Sequence, residues 1–447
     1  MTGRSGGKRR PVVLYQPRDE GAVMPLGLLA LGSWLTGEHV VIVDGRFELA
    51  PEARVVELAR GALFLGVSVR TGAPLREALR VSKAARSASP GLPVVWGGAH
   101  ATLDPASCLG TGVVEACALG AGEESLAAAA EALRAGHPLR SVGGLVVTGG
   151  DAVDPAPFPA TLWPRADYSL LDVERHFDLR GARRLDYCAS RGAREGPAWM
   201  AIRAERVVAE TRELAERYRL AEVLFQDEDF FADQERVEAI AHGLLEGGGT
   251  MGWQGGARPE DVVAAPPERL RLLAESGCRR LHLGVVAGAV PRELLLDAGA
   301  RLHAAGLRAR FSFDVRAPGT APGGLAEAVS AARRLCAMDA RFETPIRRAW
   351  AALPIPGPHE GGALEGWAGG EEPPWPDTGE ERRLACAAFF FGEAQCSAGP
   401  RLGQHLVRLL ALLRVRLGFF ALGWERLVVE GATLLRTGRR RRRASGD

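Results

Sequence analysis

From residue 11 to residue 135 the chain alternates two kinds of segment. Short apolar runs (PVVLYQP, VVIVDG, LFLGVSV, PVVWGG, EACALG) are separated by helix-patterned stretches (PLGLLALGSWLTG, ARVVELARG, REALRVSKAARSA, EESLAAAAEALRAG). Parallel strands covered on both faces read as nearly continuous apolar runs, and each needs a crossover of about a dozen residues to return to the same edge of the sheet. The alternation therefore predicts an α/β fold that opens with a Rossmann-like, doubly wound domain over residues 11–140, after a disordered tail at 1–10. Ligands of such sheets sit beyond the carboxyl ends of the strands, which here are followed by the loops at 16–24, 70–74, 97–103 and 120–123.

Downstream, residues 141–185 read as a connector, with a hairpin pattern (LVVTGGDAV) and a Pro-rich passage (DPAPFPATLWP). A second helix–strand rhythm over 186–355 predicts another parallel sheet, closed or partly closed as a partial (β/α) barrel. A Gly-, Pro- and acid-rich linker (356–385), a C-terminal helical region (386–430) and a basic tail (431–447) complete the reading. A net charge of +2 on 447 residues gives no general affinity for nucleic acid, and the basic excess is local, at Arg439 to Arg443. No apolar segment precedes the first strand and no run reaches the ~18 residues of a membrane span, so the expectation is a cytoplasmic protein. The apolar, Arg-studded stretch from Leu402 to Leu435 suits packing on the barrel, with peripheral membrane contact as the alternative. Cysteines 108, 117, 188, 278, 336, 386 and 396 form no C-x-x-C pair, so each reads as a small apolar residue or a free thiol rather than part of a disulfide or zinc framework.

Several words along the chain, taken together and in order, resemble a known family. They are PLGLLALGSWL, LGVSVRTGAPLREAL, VVWGGAHATLDP and LGAGEESL in the first domain, then RLDYCASRG, AERVVAE, VLFQDEDFF and WQGGARPED in the second. The chain is similar in these words to the cobalamin (B12)-binding radical SAM proteins, in which a cobalamin domain precedes a partial barrel that carries S-adenosylmethionine and a four-iron four-sulfur cluster. The resemblance implies cobalamin as cofactor, bound by Ser68, Arg70, Thr71, Gly72, Gly97, Gly98, His100, Thr102, Gly120, Gly122 and Glu123. On physical grounds Gly97 and Gly98 permit close backbone approach, and the hydroxyls of Ser68, Thr71 and Thr102 suit an amide-rich, phosphate-bearing ligand. The same residues also suit tight strand-to-helix turns. His100 lies in G-G-A-H-A-T, not in the D-x-H-x-x-G word of proteins that ligate cobalt with histidine, and reads either as pocket lining or as a partner of a loop carbonyl. Arg70 reads as a non-coordinating neighbour of the corrin or as a surface ion pair.

The chemistry words of the second domain depart from the family. Three thiolates of C-x-x-x-C-x-x-C should follow Y-x-x-S-R-G, but Ala193 stands at the first position and the interval to Ala204 is shorter by roughly ten residues. Cys188 alone cannot hold a cluster. The family's G-x-E-S-G is replaced by Gly284-Val285-Val286-Ala287-Gly288, and its G-F-P-G-E-T by Arg316-Ala317-Pro318-Gly319-Thr320. Neither cluster nor SAM is expected. Asp227, Glu228 and Asp229 form an acidic run in which Asp227 and Asp229 are candidate acid–base residues, or else partners of arginines and turn amides. Two functions follow: a catalytically degenerate cobalamin-binding partner or regulator of an active radical SAM or biosynthetic enzyme, or a cobalamin-dependent radical SAM enzyme such as a methyltransferase.

Overall fold

The computed structural model describes residues 9–19, 23–150, 158–195, 199–248, 251–286, 288–315, 324–339, 341–344 and 346–348. The readings of the linker, the C-terminal helical region, the basic tail and Arg316 to Thr320 lie outside these residues. The described residues form two compact units, one running to Leu224 and one beginning at Phe225.

In the first unit, strands β1 (Val12–Gln16), β2 (Val40–Asp44), β3 (Phe64–Ser68), β4 (Val94–Gly97) and β5 (Ala116–Ala118) are parallel, and β6 (Leu145–Val147) adds antiparallel to β5. Their order is β2-β1-β3-β4-β5-β6. The helices are α1 (Leu26–Trp34), α2 (Pro51–Ala59), α3 (Ala73–Ala88), α4 (Ala99–Leu103), α5 (Pro105–Leu109) and α6 (Glu123–Arg134). The pleat explains the continuous apolar run of β1. Val12 and Leu14 enter a core with Leu28 of α1 and Leu126 of α6, whereas Val13 and Tyr15 enter a core with Val55 of α2 and Leu75 of α3. Each such side chain removed from water contributes about 1.5–3 kcal/mol, so a polar residue in this run would cost one of the two faces. Trp96, fully buried on β4, keeps its indole satisfied by donating to Ser82 Oγ at 3.0 Å.

The unit continues with α7 (Val173–Arg180), β7 (Arg184–Tyr187), the two-strand hairpin β8 (Ser190–Arg191) and β9 (Met200–Ala201), α8 (Ala204–Tyr218) and β10 (Glu222–Phe225), which ends at the unit boundary. A left-handed Gly181 (φ +62°) closes α7, and Asp172 caps its start by accepting from the Arg175 amide at 3.3 Å.

The second unit holds α9 (Gln234–Glu246), β11 (Gly252–Ala257), α10 (Pro259–Ala264), α11 (Pro267–Glu275), β12 (Cys278–Val286), α12 (Arg292–Ala304), β13 (Ala309–Val315), α13 (Gly324–Met338) and β14 (Ile346–Arg348). Strands β11 to β14 pair in sequence order, all parallel. One face of this sheet is closed: Leu281, Leu283, Val285, Phe311 and Phe313 are at most 2% exposed, and α12 and α13 contribute Ala298, Leu302 and Leu335. The alternate positions His282, Gly284, Arg310 and Ser312 stay partly or wholly accessible. Phe225, Phe230 and Trp253 pack as an aromatic cluster, with Phe225 and Phe230 stacked at 4.6 Å. The α/β expectation thus holds, with a Rossmann-like first domain and a parallel second series.

Candidate functional site

The order β2-β1-β3 makes the crevice between β1 and β3 the point where the winding reverses: the chain leaves β1 towards the face carrying α1 and α6, and leaves β3 towards the face carrying α2 and α3. A ligand belongs outside the carboxyl ends of these strands, where loops diverge and leave room. Most residues singled out from the sequence converge there.

Two glycines shape this edge. Gly72 (φ +97°) starts α3 and Gly98 (φ +96°) starts α4, backbone conformations that side chains rarely adopt. The need at Gly98 is also steric. A Cβ there would sit 3.1 Å from Val69 O and 3.4 Å from Ser68 Oγ, because the turn is stitched to the β3 loop by Val69 N to Gly97 O (2.7 Å) and His100 N to Val69 O (3.1 Å). A side chain at Gly98 would therefore meet the neighbouring loop. Thr102 ties the next loop in, donating to Gly98 O at 3.0 Å and accepting from Gly120 N at 2.9 Å. Its hydroxyl serves the scaffold.

His100 is fully buried, with Nδ1 3.1 Å from the exposed Thr71 hydroxyl. In this position it underpins the loop. Arg70 is 63% exposed and pairs with Asp19 of the β1 loop at 3.2 Å, the surface ion pair that was one of its two readings. Gly122 precedes α6, and a Cβ there would make ordinary contact with Leu31 at 3.4 Å. Glu123, 2% exposed at the first residue of α6, accepts from Arg191 Nη1 at 2.6 Å, and that guanidinium lies 4.4 Å above the Trp163 ring. Two motif words, G-A-G-E and S-R-G, thus meet in an ion pair. A second meeting joins Tyr187 to Glu210 of A-E-R-V-V-A-E at 2.7 Å.

Sequence reasoning missed a buried ionic network beside this edge. Asp44, at the end of β2, accepts from Arg46 Nε (2.9 Å) and Nη2 (2.6 Å), and His176 Nε2 of α7 is 3.6 Å away. Asp186 of β7 accepts from the Met24 amide at 2.7 Å and pairs with Arg180. Burial holds the His176 imidazole down at about 4, with Asp44 offsetting only part of the desolvation. The only advance signal was V-V-I-V-D-G-R, an acid and a base closing an apolar strand.

The edge fits a corrin on three observations. Loop backbones are drawn into turns that leave Ser68 and Gly97 half-buried at the rim. Val23 (42% exposed) on the loop after β1 and Leu103 (52%) at the end of α4 leave apolar surface uncovered. Asp19 Oδ1 is buried and accepts no hydrogen bond.

The three-thiolate pattern of the family is missing from the sequence after Ser190-Arg191-Gly192. The β8–β9 hairpin is closed by Ser190–Ala201 and Arg191–Met200 pairing, and no cysteine lies between Gly192 and Ala204 in sequence. Among the described residues no three His, Cys, Asp or Glu side chains converge as metal ligands. Cys188 is half-buried with Sγ 3.2 Å from Ser190 O, and none of Cys108, Cys117, Cys278 and Cys336 is in a disulfide. In the second unit Asp229, 4% exposed, accepts from Arg258 Nη2 at 3.0 Å, while Asp261 caps the Arg258 amide at 3.1 Å. Asp227 is buried like Asp229, and Glu228 between them is exposed. An acid–base role for Asp229 would have to break this ion pair. Gly284 of β12 is exposed, and the strand end that replaces G-x-E-S-G offers Val285 and Val286 instead of acid and hydroxyl.

Comparison with known proteins agrees with the geometry of the first sheet. Residues 19–130 match the family model described as the B12 binding domain. An uncharacterized methyltransferase of Pyrococcus horikoshii is 25% identical over 311 residues, covering 63% of this chain and 66% of its own length. The fold is similar to that of the radical S-adenosylmethionine methyltransferase TsrM from Kitasatospora setae, solved with cobalamin and a [4Fe-4S] cluster bound (TM-score 0.60, 17% identity, 74% of this chain and 73% of that one). It is also similar to the cobalamin-dependent S-adenosylmethionine radical enzyme OxsB, solved with aqua-cobalamin and S-adenosylmethionine (TM-score 0.61, 17% identity, 76% of this chain and 53% of that one). The chain therefore spans under two thirds of the Pyrococcus relative and about half of OxsB. No helix among the described residues is long and apolar enough to cross a membrane. Residues 19–130 are thus a B12-binding domain, and the fold of the chain is similar to that of TsrM and OxsB.

Proposed function

We propose that this chain binds cobalamin at the carboxyl edge of its first sheet, assembles no four-iron cluster, and acts as a cobalamin-binding partner or regulator of an active enzyme. The observation that carries the reading is the pairing of a ligand-shaped switch point with a hairpin in place of the cluster loop. In this reading Ser68, Thr71, Gly97 and the loop from Gly120 meet the ligand, supported by turns in which Gly72 and Gly98 have positive φ, Thr102 bonds Gly120 and Glu123 pairs with Arg191. When bound, cobalamin would supply a cobalt centre able to carry a methyl group. Three thiolates are required to hold the family's cluster, and the hairpin supplies none, so SAM has no iron to approach.

The alternative, a cobalamin-dependent methyltransferase, draws on the relatives named as methyltransferases. One experiment separates the two. Protein purified and reconstituted anaerobically with iron, sulfide and hydroxocobalamin is passed through gel filtration, then analysed for corrin absorbance, iron content and 5′-deoxyadenosine formed from SAM. The proposal expects co-eluting corrin bands without stoichiometric iron and without 5′-deoxyadenosine, both in the wild type and in Ala193→Cys. Iron and sulfide near stoichiometry, with SAM cleavage lost in Cys188→Ala, would return the chain to the enzyme class. Absence of corrin bands would remove the cofactor reading itself.

A further inference from the structure

Cys108 of α5 and Cys117 of β5 belong to one core cluster of the first unit, and neither is in a disulfide. A helical side chain leans over the turn that precedes it, so Cys108 lies over the first turn of α5, at Pro105. Cys117 Sγ reaches the same turn, 3.9 Å from Pro105 O. The two thiols meet there and are hydrogen-bonded to each other, with His100 of α4 within hydrogen-bonding reach of Cys108.

The pair is polarised. The hydrogen bond with Cys117 pulls the Cys108 thiol down to about 6, a pull that burial opposes and His100 reinforces, while Cys117 is pushed up by the same bond and by burial. One sulfur is thus prepared as a nucleophile beside another that keeps its proton. Little covers them. Cys108 is the one buried residue of the five in α5, and Pro105, Ala106, Ser107 and Leu109 are exposed or half-buried. A helix this short, held by one buried side chain, belongs to the low-stability end of a fold, where local opening admits a solute little larger than water.

We propose that Cys108 and Cys117 form a reversible disulfide when the folded chain meets hydrogen peroxide. Cys108, its proton passed to His100, attacks one peroxide oxygen; the O–O bond breaks, and the departing hydroxide takes up that proton as water. Cys117 then attacks the sulfenic acid left on Cys108, the S–O bond breaks, and a second water leaves with the Cys117 proton. Two thiols and one peroxide give one disulfide and two waters, each sulfur losing one electron. The crosslink fastens α5 to β5.

The test treats the reduced, folded full chain with hydrogen peroxide, stops the reaction with catalase, and caps every remaining thiol with iodoacetamide under denaturing conditions. Peroxide is raised until half-buried Cys188 is oxidised, which shows that oxidant has reached the folded chain. Glu115 lies between the two cysteines, so cleavage after glutamate separates them unless a disulfide joins them. Both should lose their caps, and their peptides should run as one species that parts on reduction. In Cys117→Ala, Cys108 should persist as a sulfenic acid that dimedone traps; in Cys108→Ala, Cys117 should remain a thiol. The oxidised wild type should melt above the reduced form, and dithiothreitol should reverse the shift. Cys188 oxidised while Cys108 and Cys117 both stay capped, a linkage of either to any other cysteine, or a linkage that forms only after unfolding in urea would each overturn the inference.

Discussion

Glu123 and Arg191 offer a measurable coupling between two stretches of chain 68 residues apart. The Glu123 side chain is 2% exposed and Arg191 32%, with 2.6 Å between them. Removing one member of a buried pair costs about 3–5 kcal/mol, because the other is left charged and desolvated. Two features reduce this for Arg191→Ala. The carboxylate sits at the first residue of α6, where the helix terminus returns about 0.3–1 kcal/mol, and the guanidinium is one-third exposed, so solvent already screens part of the attraction. A loss of about 2–3 kcal/mol remains, some of it from the arginine's contact with Trp163. Glu123→Gln should cost less, about 1 kcal/mol, since water can solvate the freed arginine. The double variant should fall short of the sum by about 1.5 kcal/mol in urea unfolding of the full chain. Additivity within about 0.5 kcal/mol would show that the two side chains do not interact energetically and would refute the argument.

The His176 imidazole, held at about 4 against an ordinary 6.5, is neutral in the fold and takes up a proton more readily when unfolded. Stability is therefore independent of this group above pH 6.5 and falls as pH drops from 6.5 to 4, by about 3 kcal/mol at most; urea midpoints should show the slope in the wild type and a flatter one in His176→Gln. Gly98→Ala forces a Cβ into φ +96° and against Val69 O, at a cost of about 1–3 kcal/mol. Calorimetry should register that loss without any ligand present; an unchanged melting temperature would mean that the turn relaxes freely.

The sheet could be read from the sequence because its cause is local. Runs such as V-V-L-Y and V-V-I-V-D have a single use in a soluble chain, as strands covered on both faces, and the helices between them fix the crossovers. Gly98 was legible as a special backbone position, and a Cβ there would meet Val69, a residue from a different loop; the positive φ of Gly72 was not foreseen. Contacts at long range were not legible. Nothing about Glu123 in sequence distinguishes a ligand contact from a partner of Arg191, and Asp229 differs from Glu228 only in which side of the chain it takes. Asp19 and the Asp44–Arg46–His176 network escaped notice because single charged residues flanking apolar runs look the same whether they are solvated or buried.

That network bears on how the chain can be cut. His176 and Asp186 reach the ends of β1 and β2 from elements that follow the first sheet in sequence, and Ser33 of α1 accepts from the Asp167 amide at 2.8 Å. A fragment stopping after β6 would strip these partners away and open Asp44, Arg46 and the Met24 amide to water. It would also uncover the loop beside Asp19, so the excised sheet would present a different ligand edge from the intact protein. A truncation that keeps these partners has to extend past β7.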